Sequence, residues 1–433
     1  MKITILNGNQ EPSSFDSYLG QLELALETSG HAVIRLDLRD LPLRYCIGCW
    51  DCWVKTPGQC ITQDASVEMD QAVINSDFVL WAAPLKMGFP SHLLKMAMDK
   101  HIPLIHPYME VAYGEAHHLR RYSKYPRLGL LLEREVSTDD GDLRIVSDIF
   151  CRTAINLKTR LEFSLTTEKP VDVLVGRITS PNPEPLPIPE RLVPTQGTRI
   201  SPPARLVFFN GSPRGRKGNT PLMLEQVAVG FGRPVETYHL IRLRETDRMV
   251  QAFAKAESAL LGFPLYTDAM PGIVKHFIEA LEPLVGRSDN PPLGFLVQSG
   301  FPEGLHSRYV ERYLEKLAAR LGSPYLGTIV KGGGEGTRVM PPQMNLDLFT
   351  NLQALGAGLA SDGFFDPQIL THIGTPERFP AILDPFFRVF LRLPTAHSYF
   401  DNMLRQNGMY QQRFARPFAR STHLRRLSDV VHE

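Results

Sequence analysis

A chain of 433 residues with a formal net charge of +1, 43% hydrophobic and 21% charged, has material for two buried cores. It has no excess charge to draw it to nucleic acid or to an anionic membrane. No apolar stretch reaches the about eighteen residues of a membrane span, and the N-terminus enters a strand pattern without an apolar leader, so a cytoplasmic protein with no nucleic-acid or membrane partner is expected. Four of the five cysteines fall between Cys46 and Cys60, a ligand or redox cluster rather than a disulfide framework.

In chain order, residues 3–6 read as a strand ended by Asn7-Gly8-Asn9, and residues 18–28 as a helix. Residues 31–36 are a second strand. Residues 78–83 are a third, closed by Pro84-Leu85-Lys86-Met87-Gly88 and followed by a helix over 91–100. Residues 127–132 are a fourth strand and 171–175 a fifth. Strands alternating with helices predict a doubly wound parallel sheet with helices on both faces, whose ligands sit beyond the carboxyl ends of the strands. The loops after Leu6, Leu36 and Ala83 then share one edge. That edge carries Cys46, Cys49, Cys52 and Cys60, with spacers of two, two and seven residues. Four thiolates this close suit an iron–sulfur cluster or tetrahedral zinc, and structural or free thiols are the third arrangement. His101, His106, His117 and His118 lack an HExxH spacing and read as polar loop and interface residues.

Residues 180–203 hold eight prolines and form a semi-rigid connector. The expected division is a domain over 1–178, a linker over 179–203, a second domain over 204–375 and a tail over 376–433. After the linker the pattern restarts. Residues 206–209, 235–240 and 258–263 answer the first three strands, Pro264-Leu265 echoes Pro84-Leu85, and Val274-Lys275 echoes Leu94-Lys95. This is a tandem duplication of one α/β unit, with no cysteine in the second copy.

The stretch LVFFNGSPRGRKGNT, residues 206–220, is a strand running into a Gly/Ser/Asn/Thr loop ahead of a helix over 222–230. Thr220 is placed as N-cap and Pro221 at the first helical position. Converging backbone N–H groups, hydroxyls and a helix N-terminus make an anion site, in neither the Walker nor the dinucleotide spacing. Gly211, Ser212, Pro213, Arg214, Asn219 and Thr220 resemble the phosphate loop of the NADPH-dependent FMN reductases, a flavodoxin-like family, with Gly218 where that family usually has Ser. Pro264-Leu265-Tyr266-Thr267 resembles the family's second flavin loop, which packs on the isoalloxazine. Residues 295–303 resemble a Ser-Gly-Phe-Pro-Glu loop of a subset of it, with Ser299 and Gly300 at the ring's polar edge. The cysteine run resembles that of the iron–sulfur flavoproteins. In the first half, Asn9-Gln10-Glu11-Pro12-Ser13-Ser14 replaces Ser-Pro-Arg, and Glu11 would repel a dianion. Residues 331–336, Lys-Gly-Gly-Gly-Glu-Gly, read as a flexible turn. The tail is aromatic and basic, with Arg413, Arg416, Arg420, Arg425 and Arg426, and is expected to pack on the second domain or on a partner subunit.

The resemblance implies two tandem flavodoxin-like domains and an FMN-dependent NAD(P)H oxidoreductase. It places FMN on Ser212, Arg214, Asn219, Thr220, Pro264, Leu265, Tyr266, Thr267, Ser299 and Gly300, with NAD(P)H as substrate. The four cysteines then hold a 4Fe–4S cluster or stay as thiols. A small molecule or a redox protein accepts the electrons, and a homodimer is compatible. The flavin carries the chemistry, so no acid, base or nucleophile is assigned. The competing expectation is a non-catalytic flavin-binding, sensor or electron-docking module on the same scaffold.

Overall fold

The computed structural model describes residues 1–379, 382, 384–391 and 393–419. The first unit runs β1 (Lys2–Asn7), α1 (Ser14–Thr28), β2 (Ala32–Asp37), a single turn α2 (Asp51–Val54), α3 (Ser66–Ile74), β3 (Phe78–Lys86), β4 (Phe89–Pro90) and α4 (His92–Asp99). It continues with β5 (Ile105–Ala112), β6 (Glu115–Arg120), β7 (Arg127–Glu133), α5 (Asp140–Asn156), β8 (Leu161–Thr166) and α6 (Val171–Thr179). The second runs β9 (Leu206–Asn210), α7 (Asn219–Phe231), β10 (Val235–His239), α8 (Thr246–Ala254), β11 (Ala259–Pro264), α9 (Gly272–Ala280), β12 (Leu293–Gln298), α10 (Leu305–Leu321), β13 (Tyr325–Lys331), α11 (Leu346–Asp362) and α12 (Pro367–Ile373).

The two sheets have one topology. The first is ordered β2-β1-β3-β7-β8 and the second β10-β9-β11-β12-β13, every pair parallel, with β4 added antiparallel to the end of β3. This is the flavodoxin-like order, in which the chain reverses beside the first strand and opens a crevice there. Strands such as β11 (ALLGFP) and β12 (LGFLVQ) are buried at every residue, as strands covered on both faces must be. The duplication is therefore structural as well as sequential.

The domains dock through equivalent helices, α4 on α9 and α5 on α10, over one continuous apolar core. The contact is reciprocal. Buried Lys95 pairs with Asp99, which accepts from the Gly272 amide at the start of α9 (2.7 Å). Buried Lys275 pairs with Glu279 (2.7 Å), which accepts from the His92 amide at the start of α4 (2.7 Å). Each carboxylate thus answers a helix N-terminus of the other domain, which offsets much of the cost of burying the charges. Gly272 permits the approach, since a Cβ there would lie 3.1 Å from the Met96 backbone.

Three expectations are corrected, and one element is new. Residues 171–175 are not a strand but the start of α6, where Leu174 and Ile178 bury one helical face. The fifth strand is β8, upstream. So short an apolar run does not reveal its period. Helix α7 begins at Asn219 with Gly218 as N-cap, so Thr220 lies within the first turn rather than capping it. The antiparallel hairpin β5–β6, inserted between α4 and β7, was not anticipated. The tail packs chiefly on the first domain. Its helices α13 (Asp384–Phe390) and α14 (Pro394–Gln406) lie against β5 and α2, Leu404 buries with Cys52, Trp53 and Val54, and the Arg121 guanidinium donates to Ala415 O (2.9 Å). Arg420, Arg425 and Arg426 lie outside the described residues. No helix among the described residues is long and apolar enough to cross a membrane.

Candidate functional site

At the junction of the two domains lies a cavity of ≈ 470 Å³ with mostly apolar walls. The first domain contributes the loop carrying Cys46, Cys49, Cys52 and Cys60, together with Asp99, Lys100 and His118. The second contributes Leu265, Tyr266 and Thr267 after β11, and Ser299, Gly300 and Phe301 after β12. Tyr399 and Phe400 of α14 complete the wall beside Trp50 and Trp53, with ring centroids 5.5 Å apart for Trp50–Phe400 and 5.6 Å for Trp53–Phe400. The strand-end rule delivers the two second-domain loops to this edge. The duplication turns the first domain's cysteine loop to face them.

The loop after β11 is held in an unusual conformation, with Thr267 and Asp268 at φ +43° and +59°. Leu265 N donates to Gln298 O (2.7 Å), while Tyr266 and Ala269 exchange backbone bonds (2.9 and 3.0 Å), which fixes the turn. The Lys95 ammonium reaches across from the first domain to Thr267 Oγ1 (2.7 Å). Pro264 ends β11, buried below the cavity wall. Ser299 is buried and donates to Phe301 O (3.1 Å), whereas Gly300 is exposed.

Ser212, Asn219 and Thr220 do not line the cavity; they form a cradle beside it, at the N-terminus of α7. All three are buried, and Thr220 Oγ1 is fully buried with no hydrogen-bond partner among the described residues. A Cβ at Gly218 would lie 2.1 Å from Ser212 Oγ, so Ser212 already fills the space a serine at 218 would need. Arg214 joins cradle to cavity. Its Nε donates to Gly48 O (2.5 Å), its Nη1 to Glu335 Oε1 (2.6 Å), and its guanidinium stacks 4.2 Å from the Trp50 ring centroid. Gly48, at φ +64°, is required here, because a Cβ would fall 2.0 Å from Tyr266 Oη. The donor set, two hydroxyls, an amide, a guanidinium and a helix N-terminus, fits a phosphate.

The cysteines are all free: Cys52 buried, Cys46 and Cys60 half-buried, Cys49 exposed. Burial pushes the Cys46 thiol up to about 12 and drives Cys49 and Cys52 upward as well. The Lys100 ammonium lies 3.5 Å from Cys60 Sγ and 2.9 Å from Asp64 Oδ2. Among the described residues no three His, Cys, Asp or Glu side chains converge as a metal site. Four thiols on one loop are the donor type that an iron–sulfur centre would use. His117 and His118 pack on Phe301 of the second domain (ring centroids 6.3 and 5.1 Å), whereas His101 and His106 are buried away from that interface rather than on polar loops. His101 bonds Asp70 (2.7 Å), His117 bonds Asn156 (2.7 Å), and burial drives His106 and His118 down to about 3. Sequence inspection missed Trp50, Trp53, Tyr399, Phe400 and Lys100 as neighbours of the site. Only the Gly-rich run around Glu335 gave any signal.

With this geometry in hand, residues 1–114 match the family model of the NADPH-dependent FMN reductases. An iron–sulfur flavoprotein of Archaeoglobus fulgidus is 31% identical over 90 residues, 21% of this chain and 40% of that protein. The chain thus spans 40% of the length of this curated relative. Among solved structures, an FMN-dependent NADH-azoreductase from Bacillus anthracis in complex with FMN is similar at 12% identity and a TM-score of 0.29, over 36% of this chain and 99% of that one. An NADH:FMN oxidoreductase in apo form is similar at 18% identity and a TM-score of 0.30, over 40% and 96%.

Proposed function

We propose that the protein is an FMN-dependent NAD(P)H oxidoreductase with one flavin, held by the second domain, and an iron–sulfur centre on the first-domain cysteines. The observation that carries this reading is the shared cavity, in which Cys46, Cys49, Cys52 and Cys60 face Leu265–Thr267 and Ser299–Phe301. Bound there, FMN would supply the conversion between hydride and single-electron chemistry.

The chain's own residues do the rest. Arg214, Asn219, Ser212 and Thr220 would hold the phosphate, and the loop from Leu265 to Thr267 would pack on the ring. Trp50, Trp53, Tyr399 and Phe400 shield the cavity from water. Cys46, Cys49, Cys52 and Cys60 would be the ligands of a cluster, with the Lys100 ammonium beside Cys60 (3.5 Å) to offset its negative charge. The acceptor is a small molecule or a redox protein that reaches this junction.

The test is a visible spectrum of protein purified without oxygen, with iron and FMN quantified per chain. Flavin bands with a broad shoulder and about four irons per chain are expected. Cys52→Ser should lose the iron and keep the flavin. Flavin without iron would leave a plain FMN reductase, and protein that takes up neither would sink the reading.

A further inference from the structure

We infer that Glu335 is a built-in stand-in for the flavin phosphate, and that residues 331–338 form a latch closing the cradle until a phosphate-bearing ligand displaces it. The inference rests on the assignment of residues 211–220 as a phosphate site and adds to it a residue that the ligand must move.

Glu335 makes the contacts a phosphate would make. Its carboxylate takes the Arg214 guanidinium (2.6 Å), and its backbone oxygen accepts from Asn219 Nδ2 (2.9 Å). From the same turn, Arg338 donates to Gly218 O (2.7 Å) and Arg216 O (3.1 Å), pinning the latch to the phosphate loop. Left out is Thr220 Oγ1, fully buried and without a partner among the described residues. A carboxylate offers two acceptor oxygens and one charge. A phosphate monoester offers three oxygens and about −1.5 to −2 charge, and so satisfies the same groups more completely.

The latch also has a reason to exist and the means to open. With no ligand, Arg214 would be a largely buried guanidinium without an anion, which is costly, and Glu335 neutralises it. Burial pushes the Glu335 carboxyl up even beside Arg214. Glycines at 332, 333, 334 and 336 flank the residue, and Gly333 already sits at φ +67°. Gly333 N and Gly334 N bond to Phe301 O (2.7 Å) and Ser299 O (2.8 Å), so release of the latch is felt by the loop after β12, on the cavity wall.

The experiment compares wild type, Glu335→Gln and the conservative Glu335→Asp for binding of FMN, riboflavin and inorganic phosphate, by flavin fluorescence and by thermal shift. Glu335→Gln should bind FMN about tenfold more tightly and riboflavin unchanged, and should gain more thermal stability from phosphate than wild type does. Glu335→Asp should stay near wild type. Equal tightening for both flavins, or weaker FMN binding, overturns the inference, because Glu335 would then block the cavity or belong to the finished site. If no variant binds FMN yet phosphate still favours Glu335→Gln, the latch stands and the flavin assignment falls. If phosphate does not discriminate either, both fall.

Discussion

The two domains share one fold and meet across a near two-fold junction, yet they treat the equivalent loops differently. In the first domain carboxylates bond to both equivalent loops. At the phosphate loop, Asp16 accepts from Asn9 Nδ2 (2.7 Å) and the Ser13 amide (2.9 Å) and pairs with Arg39 (2.9 Å). At the ring loop, Glu135 accepts from the Met87 and Gly88 amides (3.0 and 2.5 Å), and Tyr313 donates to Met87 O (3.0 Å). Arg320 closes over Gly88, where a Cβ would fall 2.7 Å from its Nη2. In the second domain one carboxylate, Glu335, covers the phosphate loop, and the ring loop opens on the cavity. The first domain's loops have their amides satisfied by side chains of the same domain, and a fold repeat alone does not imply two cofactors.

The largest test of this contrast is a pair of double substitutions. Asn219→Ala with Thr220→Ala should weaken FMN binding about a hundredfold, through the loss of two hydrogen bonds to a dianion. Ser13→Ala with Ser14→Ala should leave one FMN per chain unchanged. Equilibrium dialysis separates the two, and a second flavin lost from the Ser13 variant would break the contrast.

A second test asks how far the open site depends on the first domain. Glu115, on the inserted hairpin, pairs with Arg152 (2.5 Å) and Arg378. Burial pushes its carboxyl up, but the His117 hydrogen bond and the Arg152 charge outweigh that and hold it at about 2 against an ordinary 4.5. A depressed carboxyl contributes stability that is complete above its unfolded value and is lost as pH falls through the folded one. Roughly 3 kcal/mol should therefore disappear between about pH 4.5 and 2. Acid titration of stability should show this in wild type and a flatter profile in Glu115→Gln.

The smallest effect is expected of Glu135→Gln. The change keeps the shape of the plug and removes its charge beside Arg320 (3.3 Å). A loss of about 1 kcal/mol in stability by denaturant titration is expected, with no gain of flavin in the first domain. A second FMN in this variant would show that the Glu135 charge alone keeps the first site shut.

Much of this was legible in the residues, for definite reasons. The strands 3–6 and 206–209 are short apolar runs ended by Asn and Gly, and they emerge as β1 and β9. The proline-rich stretch and the restart after it gave the duplication, and the second-domain loops fell at strand ends in the expected order. Residues 171–175 misled because five apolar-rich residues suit a strand or one helical turn equally. The tail misled because its partner, the aromatic surface of Trp50 and Trp53, belongs to a loop some 350 residues away in sequence, beyond any local pattern.

What the sequence by itself determined is local: the period of the strands, the glycines and hydroxyls of the phosphate loop, and the spacing of four cysteines. These follow from conformational limits and donor chemistry carried by neighbouring residues. Only the tertiary structure decided that the cysteine loop faces Leu265–Thr267 and Ser299–Phe301, that Asp16 and Glu135 bond the first-domain loops, and that Glu335 reaches Arg214 and Asn219 in the second. Those contacts join residues more than a hundred positions apart or depend on which of several carboxylates packing brings to a given amide. They are settled by the docking of two domains around one core, a property of the folded chain and of no segment within it.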